Sequence, residues 1–266
     1  MKNKDWFFVI GGSSGFGLAS AFLFAEKGYN IFIIHRDSRQ YLQEIETCFQ
    51  KIKNKRVLFE SMNVNAHDKK NHPMILEKIK ETLGQDGKIK VFLHSIADGN
   101  INPLIPSAEA GFNSKSLCED DFSYTIHAMG TSFFLWSKLI LENKLFAKNA
   151  RIIGLTSEGS KKVLPGYAAV AASKSVLESA CRYMAVELAP YGITTNLINA
   201  GITDTPALRV IPGYEELIEK AKHKNPFKRI TLTEDIAKAI YLLSTDDAGW
   251  INGEIIRVDG GEQLMA

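Results

Sequence analysis

Tyr167 and Lys174 are the two residues of this sequence whose types and spacing point most directly to chemistry. The stretch YAAVAASK that contains them reads as helix, where residues seven apart differ by roughly 20° around the axis and share one face. A lysine ammonium favours the ionised form of a nearby phenol, so we expect Lys174 to lower the pKa of Tyr167. The phenol would then donate a hydrogen bond to a substrate oxygen that gains negative charge.

The spacing of this pair favours one substrate over another. Reductases that polarise a ketone often place tyrosine and lysine four residues apart, and no tyrosine here has a lysine at that distance. Three further residues move the tyrosine roughly 4.5 Å along the axis. When hydride adds to the β-carbon of an α,β-unsaturated thioester, charge appears on the thioester oxygen, two carbons from the reacting carbon. A displaced tyrosine suits that more distant oxygen.

A glycine-rich stretch near the start has the pattern of a dinucleotide-binding loop. The residues VIGGSSGFGLA (9–19) follow a strand-like run and open a helix-like one. Gly11 allows a sharp turn, while Gly15 and Gly17 remove side chains where the pyrophosphate and the helix approach the backbone. The helix N-terminus offers N–H groups and the positive end of its dipole to phosphate. The stretch predicts a dinucleotide site, with a glycine turn used only for packing as the alternative.

The end of the second strand-like run bears on which dinucleotide binds. A carboxylate there would bond the ribose 2′-OH of NAD and repel a 2′-phosphate. The stretch IIHRDSRQ instead places His35 or Arg36 at that position, with Ser38 and Arg39 nearby. Arg36 is suited to hold a 2′-phosphate, so the sequence favours NADP(H) over NAD(H). Asp37 argues the other way if the register shifts by one residue, and solvated surface charges are the remaining alternative.

Seven short apolar runs alternate with helix-like stretches, which indicates how these residues are positioned. Such alternation predicts a parallel sheet covered by helices on both faces. We therefore predict one α/β domain over residues 1–266, a Rossmann-type doubly wound parallel sheet of about seven strands. The runs are residues 6–10, 30–34, 56–60, 89–93, 150–155, 193–198 and 254–258.

Two long segments interrupt the alternation, and both follow strand-like runs. Residues 97–119 lack clear periodicity, and residues 201–229 contain three prolines and a predicted helix near 214–224. Ligands bind beyond the carboxyl ends of strands in such sheets, so long segments there are expected to cover a site. We interpret 201–229 as a substrate lid and 97–119 as a long loop.

Composition limits the classes of partner and site. Lys and Arg total 32 against 30 Asp and Glu, a net charge of +2 that favours neither nucleic acid nor an anionic membrane as partner. The apolar run at the start is too short for a signal peptide or a membrane span. Cys48, Cys118 and Cys181 lack metal-ligand spacing, as do His94 and His127, so no metal site is predicted. Three scattered cysteines fit a reducing compartment, and we expect the cytoplasm.

Over its full length the chain resembles the short-chain dehydrogenase/reductase superfamily. The glycine loop, NVNAHD (63–68), the tyrosine–lysine helix, NAGITDT (199–205) and GEIIRVDGG (253–261) occur in that superfamily's order. Within it, the seven-residue spacing and LHSIAD (93–98) look like the enoyl-acyl-carrier-protein reductases of bacterial fatty-acid synthesis.

The resemblance implies roles for particular residues. Lys174 would bind the nicotinamide ribose, Gly201 to Thr203 would meet the nicotinamide carboxamide, and Thr205 the pyrophosphate. The candidate cofactor-binding residues are Gly11, Ser13, Ser14, Gly15, Phe16, Gly17, His35, Arg36, Asn63, Val64, Ser95, Ile96, Ala97, Lys174, Gly201, Ile202, Thr203 and Thr205.

Three positions depart from patterns found among the proteins that this chain resembles. Ser157 stands where those enzymes carry a second tyrosine, which looks more like an NADPH-preferring branch known from bacilli. We take Ser157 as a candidate catalytic residue, with a hydroxyl that only bonds backbone as the alternative. Ser14 stands where that branch often has arginine. His127 replaces an asparagine that anchors a water relay in many relatives; a satisfied helix residue is favoured over a proton relay.

Tyr167, Lys174 and Ser157 therefore predict an NAD(P)H-dependent reductase of an enoyl thioester, carried by acyl-carrier protein or coenzyme A, in fatty-acid or related biosynthesis. The alternatives are a short-chain reductase of a ketone or pathway-specific enone in secondary metabolism, and a catalytically idle nucleotide-sensing protein. The resemblance implies a homotetramer. Basic residues of 219–229 would steer an acidic carrier protein, or form a solvated helix face.

Overall fold

The computed structural model, which describes residues 4–108 and 115–265, contains one sheet of seven parallel strands. The order across the sheet is β3-β2-β1-β4-β5-β6-β7. The strands are β1 Asp5–Ile10, β2 Asn30–His35, β3 Phe59–Asn63, β4 Lys88–His94, β5 Phe146–Thr156, β6 Thr194–Ala200 and β7 Ile255–Val258. The predicted single-domain, seven-stranded Rossmann-type sheet is confirmed.

Nine α-helices lie within the described ranges and cover both faces of the sheet. They are α1 Gly15–Glu26, α2 Leu42–Lys53, α3 His72–Leu83, α4 Glu119–Ile126, α5 Ser132–Glu142, α6 Ala168–Glu187, α7 Pro206–Arg209, α8 Tyr214–Lys224 and α9 Thr233–Ser244. A π-helical turn, His127–Thr131, joins α4 to α5. The helix predicted near 214–224 is α8 and is confirmed. Gly28 has the left-handed φ of +85° expected after a helix that ends at Glu26.

The central strands are continuous apolar runs because both of their faces are buried. Alternate side chains of β1 enter different cores: Phe8 packs with Trp136 between the sheet and α3, α5 and α6. Phe7 stacks on Phe24, ring centroids 4.1 Å apart, on the face that α1, α2 and α9 cover. The sheet is therefore packed between two layers of helices.

Two strands begin three or more residues from their predicted start. We predicted β3 over 56–60, and this is wrong, because Arg56 has a φ of +62° that no extended strand adopts. β5 begins at Phe146, ahead of the predicted 150. Its register with β4 shifts between Ile89 and Val91, and Asn149 in the irregular stretch has a φ of +56°.

The two segments predicted to cover a site lie beyond strand ends. Residues 201–229 follow β6 and contain α7 and α8. Residues 97–119 follow β4, and 109–114 of them lie outside the described ranges. Among the helices described, none combines the length and apolar character that crossing a membrane requires.

The order of the sheet determines where a ligand fits. β1 lies between β2 and β4, so the chain connections run outward in opposite directions from this point. A crevice forms where such a reversal occurs, at the carboxyl ends of the strands. Gly11 N–H donates to Ile34 O (2.8 Å) and Ser95 N–H donates to Ile10 O (2.9 Å), which ties the three strand ends together.

Candidate active site

A cleft of about 440 Å³ opens at the carboxyl ends of the central strands and brings together most of the predicted site residues. Those that line it are Gly11, Ser13, Ser14, Gly15, Phe16, His35, Arg36, Val64, Ser95, Ile96, Ala97, Ser157, Tyr167, Lys174 and Thr205. The glycine loop and the tyrosine–lysine pair thus share one cavity. Residues separated by more than 150 positions in sequence meet there because the strand ends share one edge.

The glycine loop is built for close approach of a ligand. Gly11 has a φ of +87°, and a Cβ there would lie 2.4 Å from Ser95 O. A Cβ on Gly17 would lie 2.1 Å from Gly11 O. The side chain of Ser14, the N-cap of α1, makes no capping hydrogen bond, so first-turn N–H groups remain available to an anion. These residues fit the pyrophosphate of a nicotinamide dinucleotide.

Five predicted cofactor residues are not in the wall of the cleft: Gly17, Asn63, Gly201, Ile202 and Thr203. Asn63 exchanges hydrogen bonds with the Asp37 backbone at 2.9 and 3.0 Å. Thr203 Oγ1 donates to Gly201 O at 3.0 Å, and Ile202 N–H donates to Glu262 at 3.3 Å. These hydrogen bonds shape the backbone beside the cleft. That the five residues contact a cofactor stays a prediction.

Tyr167 is the N-cap of α6 and lies just outside the helix that carries Lys174. The sequence predicted both side chains on the helix itself; the backbone of Tyr167 instead has φ −98° and ψ 5°, and α6 begins at Ala168. Gly159 makes room for the phenol ring, since a Cβ there would lie 2.4 Å from a ring carbon of Tyr167. The phenol is therefore held beside the cleft by close packing.

Lys174 is buried beneath the cleft, with 6% of its surface exposed. Its Nζ donates to Leu155 O at 2.8 Å. Burial lowers the pKa of Lys174 to about 8, and the charge of Glu178, one turn further along α6, opposes this. Glu178 is fixed by hydrogen bonds that its Oε1 accepts from Thr156 Oγ1 (2.6 Å) and Ser160 Oγ (2.9 Å).

The predicted effect of Lys174 on the phenol is wrong for this structure. Burial raises the pKa of Tyr167 above its usual value, and the group that partly offsets the rise is Ser157. The ammonium of Lys174 is instead committed to Leu155 O. Ser157 Oγ is buried and lacks a partner within strict hydrogen-bond geometry, so its hydroxyl is available beside the phenol. A protonated Tyr167 remains a donor to an oxygen that gains charge.

The outer part of the cleft contains polar residues that sequence reasoning missed. Asp98 Oδ2 accepts hydrogen bonds from Arg36 Nη2 (2.7 Å) and from Tyr124 Oη (2.5 Å). His67 Nε2 lies 3.7 Å from the same oxygen. The sequence contains one signal for this contact. Arg36 and Asp98 follow β2 and β4, and these two strands are the neighbours of β1. Next to them, Asp37 Oδ2 lies 2.7 Å from His35 Nδ1.

The histidines give no indication of a metal site. His127 begins the π-helical turn, lies outside the wall of the cleft, and its Nε2 is 3.4 Å from His67 O. His94 Nε2 lies 2.6 Å from Ser132 Oγ in the core, where burial lowers the pKa of His94. Residues 4–108 and 115–265 contain no group of three or more His, Cys, Asp or Glu placed to hold a metal ion.

Comparisons with known proteins find a matching family model, relatives in sequence and a solved structure with the same fold. The family model for enoyl-(acyl carrier protein) reductase matches residues 11–263. The uncharacterized oxidoreductase YjdA of Bacillus subtilis is 31% identical over 260 residues, which cover 95% of this chain and 94% of YjdA. The enoyl-(acyl-carrier-protein) reductase (NADH) FabI of Aquifex aeolicus is 28% identical over 191 residues, 71% of this chain and 68% of that protein. A crystal structure of the Aquifex aeolicus VF5 enzyme has a TM-score of 0.82 at 22% identity, covering 100% of this chain and 98% of that one.

Substituting Gly17→Ala tests the glycine loop. The added methyl would collide with Gly11 O, so we expect the protein to lose about 1–3 kcal/mol of stability. We also expect that a dinucleotide no longer raises the Tm of the variant. Gly28→Ala is the control, because its φ of +85° costs about 1–2 kcal/mol while nothing lies within 4 Å of the new Cβ. Thermal unfolding with and without NADPH makes the measurement. Equal cofactor-induced shifts in both variants would contradict the assignment.

The buried lysine predicts a pH dependence of cofactor binding. Lys174 is charged below its pKa of about 8 and loses its proton as the pH rises through that value, so NADPH affinity should fall there. Glu178→Gln removes the charge that favours the ammonium and keeps an oxygen for Thr156, so the fall should begin at lower pH. NADPH fluorescence titrations across the pH range measure it, with the exposed Glu187→Gln of the same helix as control. If the fall in NADPH affinity has the same midpoint in Glu178→Gln, Glu178 does not stabilise the ammonium of Lys174.

Proposed function

Because the chain belongs to the enoyl-(acyl carrier protein) reductase family of short-chain dehydrogenases/reductases, we propose that it reduces the α,β double bond of an enoyl thioester with NADPH. Membership of this family makes the protein an oxidoreductase that uses a nicotinamide cofactor. The observation that carries the finer proposal is the place of Tyr167. Tyr167 is the N-cap residue of α6, seven residues ahead of Lys174, and it lines the same cleft as the glycine loop.

The residues of the cleft suit the charge that develops in this reaction. A bound nicotinamide would supply hydride to the β-carbon, which would leave negative charge on the thioester oxygen. Tyr167 stays protonated because its pKa is raised, so it donates a hydrogen bond to that oxygen. Ser157 offers a second hydroxyl beside it. Lys174, held by Leu155 O, binds the ribose and fixes the cofactor relative to the phenol. Water then delivers a proton to the α-carbon.

The acyl chain is assigned to the apolar residues that line the cleft. Pro206, Ala207 and Val210 of the 201–229 segment are among them, as is Met129. Val210 is 69% exposed, and burying it against an acyl chain would be favourable. These positions support the proposal that 201–229 is a substrate lid.

We propose that acyl-carrier protein or coenzyme A carries the substrate, with fatty-acid or related biosynthesis as the setting. The basic residues beside the lid steer an acidic carrier less than their number suggests. Lys220 pairs with Glu216 at 2.6 Å, Lys222 with Glu219 at 2.5 Å and Arg229 with Asp235 at 2.6 Å. Their fields are therefore partly cancelled locally.

Three features support NADPH over NADH. His35, not a carboxylate, ends β2. The carboxylate of Asp37 is engaged by His35, 2.7 Å away. Arg36 lines the cleft directly after the strand and remains charged at any physiological pH. The Aquifex relative is named as an NADH enzyme, so this preference is proposed from the residues of this chain alone.

We also propose a cytoplasmic homotetramer. The three cysteines are all free, which suits a reducing compartment. Trp250 is 99% and Leu242 65% exposed, and large apolar side chains left this open favour contacts between copies. Light scattering on the purified protein tests the assembly, and a monomer mass at working concentration would contradict it.

The first test follows oxidation of NADPH and of NADH with crotonyl and acetoacetyl thioesters. We expect turnover with crotonyl thioester, faster with NADPH, and a drop of about 10²–10³-fold in kcat for Tyr167→Phe, which removes one oxyanion donor. Tyr183→Phe is the control, since Tyr183 lies on the same helix and is 69% exposed. Turnover of acetoacetyl thioester alone would replace the proposal with a ketone reductase.

A further inference from the structure

Four side chains from four separate parts of the chain meet at the cleft, which three of them line, and Asp98 is at their centre. Arg36 follows β2, His67 follows β3, Asp98 follows β4 and Tyr124 belongs to α4. Asp98 Oδ2 accepts from Arg36 and Tyr124 and lies 3.7 Å from His67 Nε2. Tyr124 Oη also accepts from Arg36 Nη1 at 3.2 Å. We call this set the Asp98 cluster.

Arg36 is the charged partner of Asp98 within this cluster. Burial lowers the pKa of His67 to about 4, despite the opposing charge of Asp98, so His67 is neutral near pH 7. Tyr124 contributes a neutral hydroxyl. The guanidinium of Arg36 is therefore the group that balances the carboxylate. The pair spans the cleft from the end of β2 to the segment after β4, with the Arg36 side chain 50% and the Asp98 side chain 30% exposed.

The same guanidinium is the group that our proposed function assigns to the 2′-phosphate of NADPH. A phosphate that approaches Arg36 meets the Asp98 carboxylate at hydrogen-bond distance from the same side chain. It must displace that carboxylate from Nη2 or bind beside a like charge, and either costs free energy. A ligand with a plain 2′-hydroxyl does not meet this cost.

We propose that Asp98 is a specificity-determining residue that weakens binding of the 2′-phosphate by competing for Arg36; this rests on the proposed function. A carboxylate at the end of β2 would ordinarily perform that discrimination, and here β2 ends in His35. In this protein the negative charge comes from the segment after β4, on the other side of β1. Tyr124 orients the carboxylate toward Arg36. A 2′-phosphate that binds Arg36 must therefore rearrange the ion pair between Arg36 and Asp98.

Binding of cofactor fragments tests the competition separately from catalysis. Calorimetric titration of the full chain with adenosine 2′,5′-bisphosphate and with adenosine 5′-phosphate isolates the 2′-phosphate. Asp98→Asn should bind the bisphosphate about two- to fivefold more tightly, the range expected from a half-exposed ion pair, with 5′-phosphate affinity unchanged. Asp86→Asn is the control: it removes the same charge from an exposed pair with Lys4.

Arg36→Ala and the Arg36→Ala/Asp98→Asn double variant complete the cycle. Arg36→Ala should weaken the bisphosphate selectively, and in that background Asp98→Asn should have little further effect. Circular dichroism and Tm establish that each variant is folded, and Asp98→Ser replaces Asp98→Asn if the latter is not.

Three results would overturn the proposal. If Arg36→Ala weakens binding of the bisphosphate but Asp98→Asn leaves its affinity unchanged, Arg36 binds the 2′-phosphate and Asp98 does not compete with it. If Asp98→Asn weakens the 5′-phosphate, Asp98 contacts ribose directly instead. If Arg36→Ala affects neither ligand, the NADPH assignment fails together with the competition. The crotonyl assay with Tyr167→Phe reports on the enoyl reduction independently of all three.

Discussion

The burial of β1 between β2 and β4 is the constraint on which the site depends. Both faces of β1 are covered, so Trp6 to Ile10 are apolar and the position of the strand is fixed by two cores. Its polar backbone is satisfied by the neighbouring parallel strands, whose carboxyl ends come out at one edge. The residues next in sequence after those three ends are the glycine loop, Arg36 and the Ser95–Ala97 stretch. A cleft for a dinucleotide is therefore a consequence of the order of the sheet.

The second layer of the site depends on the cost of burying charge. Lys174 lies beneath the cleft and keeps its proton near neutrality with help from Leu155 O and Glu178, although burial lowers its pKa. Tyr167 at the N-terminus of the same helix is partly buried, and its raised pKa keeps it a neutral donor. The two groups are thus a fixed cation and a fixed donor. That division suits an oxygen that becomes negative during reduction, because the donor needs no reorganisation.

Much of the fold could be predicted from local patterns, and the departures have physical causes. Apolar runs gave the seven strands, and the pattern of 214–224 gave α8. The start of β3 could not be predicted because Arg56 adopts a left-handed φ that sequence does not reveal. The position of Tyr167 at a helix cap depends on where α6 begins, and helix boundaries are set by local competition among neighbouring residues.

The electrostatics of the site were harder to predict than its location. The glycine loop and the tyrosine–lysine pair were found by spacing, and the structure brings them into one cleft. The pKa of Tyr167 follows from burial, which only the folded chain shows. Arg36 and Asp98 are 62 positions apart, so their pairing depends on the sheet order and not on any local motif.

Isotope placement shows directly whether hydride reaches the β-carbon of an enoyl thioester. NADPH that carries deuterium at the transferred position would be supplied with crotonyl thioester in ordinary water. We expect a butyryl product with one deuterium at C3 and a solvent proton at C2, seen by mass spectrometry and NMR. Recovery of unlabelled crotonyl thioester, while acetoacetyl thioester in a parallel reaction gives 3-hydroxybutyryl thioester with deuterium on its carbinol carbon, would contradict it.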